Sequence, residues 1–138
     1  MKWVTWENVG IDRMGCAWLI RRSIDPGAEF VFIPAGTPPP DGPEPFDIPG
    51  ARLSHRRGHC SFHTILAEYH LEDPVLRRIA AIIDEADIAQ EAPVEPAAPG
   101  LDLVCRGIRR TSPDDTTALE RGAMIYEALY AQLASDSP

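Results

Sequence analysis

The sequence predicts an α+β domain, in which a small sheet with an N-terminal βαβ unit is covered by a helix-rich C-terminal half. Two patterns predict this fold: strand-like and helix-like stretches alternate over residues 2–34, and helical periodicity dominates from residue 61 onward. A chain of 138 residues that is 44% hydrophobic has the size and composition of one globular domain. We therefore expect a single domain that spans residues 1–138.

The N-terminal unit is predicted from three consecutive stretches. Residues 2–6 (KWVTW) alternate aromatic and β-branched side chains, which is typical of a strand. Residues 12–24 carry apolar side chains at helical spacing with Asp12 as the expected N-cap, and residues 29–34 (EFVFIP) predict a second strand that ends at proline. Because the two strands flank one helix, we expect them to pair in parallel.

The rest of the chain is expected to be mostly helical. Residues 35–45 are too rich in proline and glycine for regular structure, and a short strand is expected at residues 51–54. A proline-rich connector is expected at residues 90–100. In the last helix, Ser112 is the expected N-cap and Asp115 the N3 residue of a capping box. The predicted helices span residues 61–70, 73–89, 101–110 and 112–135.

The charge balance is acidic, with a formal net charge of −8. An acidic surface repels phosphate backbones, so this domain alone is not expected to bind nucleic acid. The three cysteines are too widely spaced for a disulfide framework, and we find neither a signal peptide nor an apolar run of membrane-spanning length. The expected location is the cytoplasm, with no membrane partner.

Three of the four histidines and one cysteine fall within residues 55–63. Imidazole and thiolate are preferred ligands of zinc and of neighbouring transition metals. The spacing His-x4-Cys-x2-His matches no closed structural zinc pattern, which favours an open site with a free coordination position. The predicted ligands of a divalent metal ion, zinc first, are His55, Cys60 and His63, with a carboxylate from Asp115 or Glu7.

Two other interpretations of the histidine cluster stay open. The histidines can be solvated or core side chains beside a buried cysteine, or Cys60 can be the nucleophile of a Cys–His hydrolase. His59 precedes the predicted helix and is a reserve ligand. The sequence does not assign His70 to the site or exclude it.

Two groups of charged residues point to anion binding or to catalysis. Arg56 and Arg57 interrupt the histidine cluster, and two cations repel a metal ion unless they bind an anionic co-ligand. Asp12 and Arg13 lie at the turn from the first strand to the first helix, where open α/β units bind ligands. They are the expected catalytic residues if the protein is an enzyme. Alternatively, Asp12 only caps the helix and Arg13 pairs with it.

Three stretches resemble the C-terminal domain of the ChrB-type chromate resistance proteins. They are IDRMGCAWLIRRSIDPGAEFVFIP, PFDIPGARLSHRRGHCSFHTIL and PDDTTALERGAMIYEALYA, and the resemblance extends over residues 2–134. It implies a link to chromate-resistance operons, in which longer members act as chromate-sensing regulators. Those members carry a further amino-terminal region for DNA control, so this chain is not expected to be a transcription factor.

The resemblance also implies a set of site residues. At position 63 an acid is expected from the family, and the histidine found here retains the ability to bind a metal ion. Trp18 is expected to be a core residue although it belongs to the matching motif. The candidates carried over are Asp12, Arg13, Trp18, His55, Cys60 and Asp115.

Three hypotheses about function follow. The first is a ChrB-like domain that binds a divalent metal, zinc first, and senses or binds a small oxyanion. The second is a small metal-dependent enzyme of the hydrolase or oxidoreductase type that uses the same site. The third is a metal-free subunit that binds a protein partner through the proline-rich loop at residues 35–45 and the helix pair. A homodimer stays open under each hypothesis.

Overall fold

The structure is a computed structural model, and it describes residues 1–88 and 93–136. Within these residues the chain forms three strands and five helices. The N-terminal strand–helix–strand unit and the helical C-terminal half confirm the predicted α+β class. The elements are β1 (Lys2–Trp6), α1 (Ile11–Ser23), β2 (Glu29–Ile33), β3 (Glu44–Pro45), α2 (Ser61–Glu68), α3 (Pro74–Asp87), α4 (Ala97–Thr111) and α5 (Asp115–Asp136).

The sheet has the strand order β2-β1-β3, and both pairings are parallel. β1 is central and buried along Trp3, Val4 and Thr5. It pairs with β2 from Lys2–Glu29 to Trp6–Ile33, as expected for the βαβ unit.

The third strand differs from the prediction. β3 lies inside residues 35–45, which were expected to lack regular structure, because an edge strand of two residues tolerates its proline. The strand expected at residues 51–54 is not formed. Leu53 makes only an isolated bridge to Phe46, and its carbonyl accepts the Asp47 N–H at 2.8 Å.

Two glycines allow α1 to pack closely against α5. A β-carbon added to Gly122 would lie 2.9 Å from the sulfur of Met14, and one added to Gly15 would lie 3.0 Å from Cζ of Tyr126. Beside this contact the Trp18 ring stacks on Tyr126 and Phe62, with centroids 5.7 Å and 6.4 Å away. Trp18 is buried, as expected. This packing fixes the N-terminus of α1 relative to the C-terminal helices.

Several helix ends lie elsewhere than predicted. The N-cap of α1 is Gly10, because Asp12 is already inside the helix and its carboxylate bonds to α2. Asp114 replaces Ser112 in capping α5 and accepts the Thr117 N–H at 2.8 Å, since Ser112 instead ends α4 and donates to a carbonyl of that helix.

The start of α4 also differs from the prediction. α4 begins at Ala97, within the connector expected at 90–100, because Pro99 is tolerated in the first turn of a helix, where its missing N–H is not needed. The last residue of the helix predicted at 73–89 and the first three of the connector lie outside the described residues. Among the helices that the structure does describe, none combines the length and the hydropathy that a membrane crossing requires.

Candidate functional site

A cleft of about 500 Å³ lies at the carboxyl end of β1. From here α1 leads to β2 on one side of β1, whereas β3 lies on the other side, so the connections of the sheet diverge at this point. Open α/β sheets bind ligands in the crevice formed where connections diverge. The charged or ionisable side chains that line the cleft are Asp12, Arg13, Asp47, His55, Asp87 and Arg109.

Asp12 is the buried acid at the base of the cleft, with 4% of its surface exposed. Its Oδ2 accepts the Ser61 N–H at 2.8 Å and its Oδ1 accepts the Phe62 N–H at 3.0 Å. These are the first two amides of α2, and an anion is stabilised at a helix N-terminus by such donors and by the helix dipole. The Asp12 side chain therefore joins α1 to α2, and its carboxylate also lines the cleft.

His55 faces three carboxylates from three different segments. Its Nε2 lies 3.0 Å from Asp12 Oδ2, 3.4 Å from Asp87 Oδ2 and 3.8 Å from Asp47 Oδ1. The hydrogen bond to Asp12 and the charges of all three acids, opposed by partial burial, raise the pKa of His55 to about 9. The ring is therefore protonated at neutral pH when no metal ion is bound. The imidazolium then supplies the positive charge that the three carboxylates surround.

Asp12, His55 and Asp87 each offer a ligand atom within 4.8 Å of the others. Two carboxylate oxygens and one imidazole nitrogen fit a divalent ion of hard to borderline character, and three protein ligands leave coordination positions open. The donor set contains no sulfur. The residues present therefore fit a divalent metal ion.

Asp47, from the loop after β3, and Arg13, from α1, support this group. Asp47 has a φ of 52°, and its carboxylate lies 3.0 Å from Nε of Arg13 and accepts the Ser61 hydroxyl at 2.6 Å. Arg13 also donates to the carbonyls of Asp47 and Trp6, at 3.0 Å and 3.2 Å. Burial and the Asp12 charge raise the pKa of Asp47 to about 7, although Arg13 opposes the shift. Arg13 thus orients Asp47 and holds the end of β1.

Trp6 forms part of the cleft wall. Its indole N–H donates to the carbonyl of Thr37 at 2.8 Å. The end of β1 is therefore tied to the proline-rich loop as well as to Arg13.

The structure does not bring the four predicted metal ligands together. The Cys60 thiol is buried and donates to the Ala80 carbonyl at 3.7 Å, and burial raises its pKa far above the usual range. His63 stacks on His59 away from the cleft lining, and Asp115 accepts two backbone N–H groups of the loop between β1 and α1. Among the residues described, the group with metal-binding spacing contains only His55 from the predicted set.

The arginines expected to bind an anion also lie outside the cleft lining. Arg56 donates to Glu68 at 2.7 Å, and Arg57 is an exposed turn residue with a φ of 53°. Glu7, the alternative carboxylate, is exposed and not part of the lining. The cations at the cleft are Arg13, as expected for the strand-to-helix turn, and Arg109 from the last turn of α4.

Sequence reasoning missed Asp47, Asp87 and Arg109. Asp47 carried one signal, since it lies in the stretch that resembles a known family and eight residues before His55. Asp87 ends a helix rich in acids, and Arg109 is one of several arginines on α4. No local pattern distinguishes those two from their neighbours.

The chain is similar to one known protein family over nearly its whole length. Residues 3–133 match the family model described as "ChrB, C-terminal domain". The chain is 34% identical over 135 residues to Protein ChrB of Cupriavidus metallidurans, an alignment that covers 97% of this chain and 41% of that protein. The chain thus spans about two-fifths of the length of this relative. No solved structure matches the chain.

Proposed function

Because the chain belongs to the ChrB C-terminal domain family, we propose that it is a cytoplasmic domain of the chromate-resistance response that binds a divalent metal ion and, next to it, an oxyanion. The observation that carries the metal site is the convergence of Asp12, His55 and Asp87 within 4.8 Å in the cleft. Zinc is the first candidate, because carboxylates and imidazole are among its usual ligands. This proposal transfers the metal site from the predicted His–Cys set to an Asp–His–Asp set.

The charges at the cleft support a cation between these side chains. Asp12, Asp47 and Asp87 surround a single imidazole, and Asp12 is almost fully buried. A buried carboxylate needs a compensating charge. In the absence of metal the protonated His55 supplies it, and a divalent ion supplies more once His55 has lost its proton. Metal binding is therefore a replacement of one cation by another in a site already built for positive charge.

An anionic co-ligand is favoured by Arg109. The guanidinium of Arg13 is occupied by Asp47 and by backbone carbonyls. Arg109 is exposed at the rim of the same cleft, where a guanidinium can bind an oxyanion through two N–H groups. The open positions of the metal ion and the Arg109 side chain together provide the oxyanion site.

The metal proposal is tested by calorimetric titration of the untagged chain with Zn²⁺. We expect one equivalent to bind to the wild-type protein, and about tenfold to hundredfold weaker binding to Asp87→Asn and His55→Gln. Asp87 is the preferred target because it is 34% exposed and its substitution leaves the bonds between Asp12 and α2 in place. His70→Gln is the matched control and retains full affinity. Equal Zn²⁺ affinity of wild type and Asp87→Asn refutes the cleft as the metal site.

The oxyanion proposal is tested on the zinc-loaded protein with chromate and with sulfate. We expect the wild type to bind one equivalent of the dianion and Arg109→Gln to bind it at least about tenfold more weakly, with the Zn²⁺ affinity unchanged. Arg110→Gln is the control, since Arg110 is an exposed neighbour that does not line the cleft. Undiminished anion binding by Arg109→Gln rejects this site.

A second candidate function is a metal-dependent enzyme. The specific observation is Asp47, a nearly buried acid whose pKa is raised to about 7 and which lies 3.8 Å from His55. A carboxylate with a pKa near the working pH is suited to act as a general base. Turnover in a screen of hydrolase and oxidoreductase substrates that requires added metal and is lost in Asp47→Asn, while Zn²⁺ still binds, favours this function over simple binding.

A further inference from the structure

A second group of metal-binding side chains lies outside the cleft lining, at the start of α2. His59 directly precedes the N-cap residue Cys60, and His63 lies in the first turn of the helix. The two imidazole rings are stacked, with centroids 3.9 Å apart and an angle of 11° between their planes. Neither ring is needed for the cation site formed by Asp12, His55 and Asp87.

Asp84 orients the His59 ring. Its Oδ2 lies 2.7 Å from Nδ1 of His59, and its Oδ1 accepts the backbone N–H of Cys60 at 2.7 Å. Because a carboxylate only accepts hydrogen bonds, Nδ1 of the neutral ring carries the hydrogen and Nε2 keeps its lone pair. Histidines that bind metal ions almost always donate their other ring N–H in this way. His59 is therefore oriented as a ligand, and 46% of its side chain is exposed.

His63 supplies the second nitrogen. Two nitrogens bound to one ion at about 2.0–2.1 Å lie roughly 3 Å apart. A bound ion lies in the plane of each imidazole ring, so the nearly parallel rings of the 3.9 Å stack cannot both bind it as they stand. His63 would have to rotate about its side-chain bonds to present a nitrogen to the ion, while Asp84 keeps the His59 ring in place.

We propose that His59 and His63 form a second metal site, separate from the cleft, for a divalent ion late in the Irving–Williams series such as Cu²⁺. Imidazole binds the ions of this series with affinities that rise to a maximum at Cu²⁺. Asp84 is a positioning residue, since it contacts His59 and not the metal. Water fills the remaining coordination positions, so the site is open and exchanges its ion.

The test is a titration of the full chain with Cu²⁺ in a His55→Gln/Asp87→Asn background, which removes the imidazole and one carboxylate of the cleft site. The three cysteines are buried and do not compete for the ion in the folded protein. We expect one equivalent of Cu²⁺ whose electron paramagnetic resonance spectrum shows coupling to two imidazole nitrogens. His63→Ala should weaken binding about tenfold or more and remove one of the two couplings. His70→Ala, the matched control in the turn that follows α2, leaves both unchanged.

Asp84→Asn provides a second variant that tests the positioning role. The Asn side-chain oxygen still accepts the Cys60 N–H, while its NH₂ group donates to Nδ1 of His59 and moves the ring hydrogen to Nε2. We expect a loss of Cu²⁺ affinity of about tenfold to hundredfold with an unchanged circular dichroism spectrum. Equal Cu²⁺ affinity of the parent and His63→Ala overturns the proposal, as does an equal loss in His70→Ala. The cleft proposal fails separately, through the Zn²⁺ affinity of Asp87→Asn.

Discussion

At the scale of single residues, Asp12 performs two tasks with one carboxylate. Its two oxygens accept the first amides of α2, and Oδ2 also contacts His55 in the cleft. The capping role expected for Asp12 in its own helix is therefore wrong, and the bond is made to a different helix. A group with both tasks cannot be changed without effects on both stability and binding.

Replacement of Asp12 should destabilise the fold more than the loss of an ordinary helix cap. Asp12→Ala leaves the buried N–H groups of Ser61 and Phe62 without acceptors, and each unsatisfied group costs about 1–3 kcal/mol. We expect the free energy of unfolding in urea to fall by about 3 kcal/mol. Asp114→Ala removes an exposed cap of α5 and should lower it by only about 1 kcal/mol. Equal losses in the two variants would contradict the role given to Asp12.

Asp47 should make the metal-free protein less stable as the pH rises. Its pKa is raised to about 7 in the folded state by burial and by Asp12, whereas an unfolded Asp has a pKa of about 3.9. Between these values the folded state holds the extra proton, so stability falls with increasing pH. Between pH 4 and pH 7, the free energy of unfolding in urea should fall by at least about 1 kcal/mol more in the wild type than in Asp47→Asn. If the difference in unfolding free energy between the two proteins does not change with pH, the raised pKa of Asp47 is refuted.

At the scale of elements, the contact between α1 and α5 determines where the cleft residues lie. α1 carries Asp12 and Arg13, and it packs against α5 through Gly15 and Gly122. Glycine is unfavourable inside a helix, so its presence at both contact points indicates that close approach outweighs helix propensity. The position of the cleft thus depends in part on Gly122, which is more than 100 residues away from Asp12 in the sequence.

Gly122→Ala should therefore destabilise the protein despite the better helix propensity of alanine. The added methyl group would lie 2.9 Å from the sulfur of Met14, and such overpacking costs about 1–3 kcal/mol. Gly107→Ala in α4 is the matched control, since nothing lies within 4 Å of the added atom. The free energy of unfolding of Gly107→Ala should rise by about 0.5–1 kcal/mol, because alanine favours a helix more than glycine does. Thermal unfolding of both variants measures the difference, and a stabilised Gly122→Ala would refute the close contact.

At the scale of the whole molecule, the site is assembled from segments that are distant in the sequence. Asp12 comes from α1, His55 from the loop before α2, and Asp87 from the end of α3. A metal ion bound to all three crosslinks these segments in the folded state only. Metal binding should therefore stabilise the fold as a unit.

The melting temperature should rise when the metal site is filled. A ligand at 100 times its dissociation constant stabilises the folded state by about 2.7 kcal/mol, which corresponds to on the order of 10 °C for a domain of this size. We expect Zn²⁺ to produce this shift in the wild type and EDTA to reverse it. Asp87→Asn should show little or no shift. A large shift in that variant would locate the bound zinc elsewhere.

The same assembly from distant segments explains what could be predicted from the sequence. β1, α1 and β2 follow from local alternation and helical periodicity, and their bounds agree closely with the expected ones. His55, Asp12 and Arg13 were recognised because unusual residues or a strand-to-helix turn single them out. Asp87 and Arg109 meet them only through tertiary packing, which leaves no trace in a local pattern. The thiol of Cys60, a predicted ligand, lies in the core and not at the cleft, because spacing alone could not indicate where its side chain is directed.

The indole of Trp6, which lines the cleft and is tied to Thr37, supplies an intrinsic optical reporter. Trp3 and Trp18 are 1% and 5% exposed, and both lie in the core. Emission that responds to quenchers or to added ions should therefore come from position 6. Occupancy can be followed in the unlabelled chain, and Trp6→Phe should abolish the fluorescence response without preventing the ion from binding.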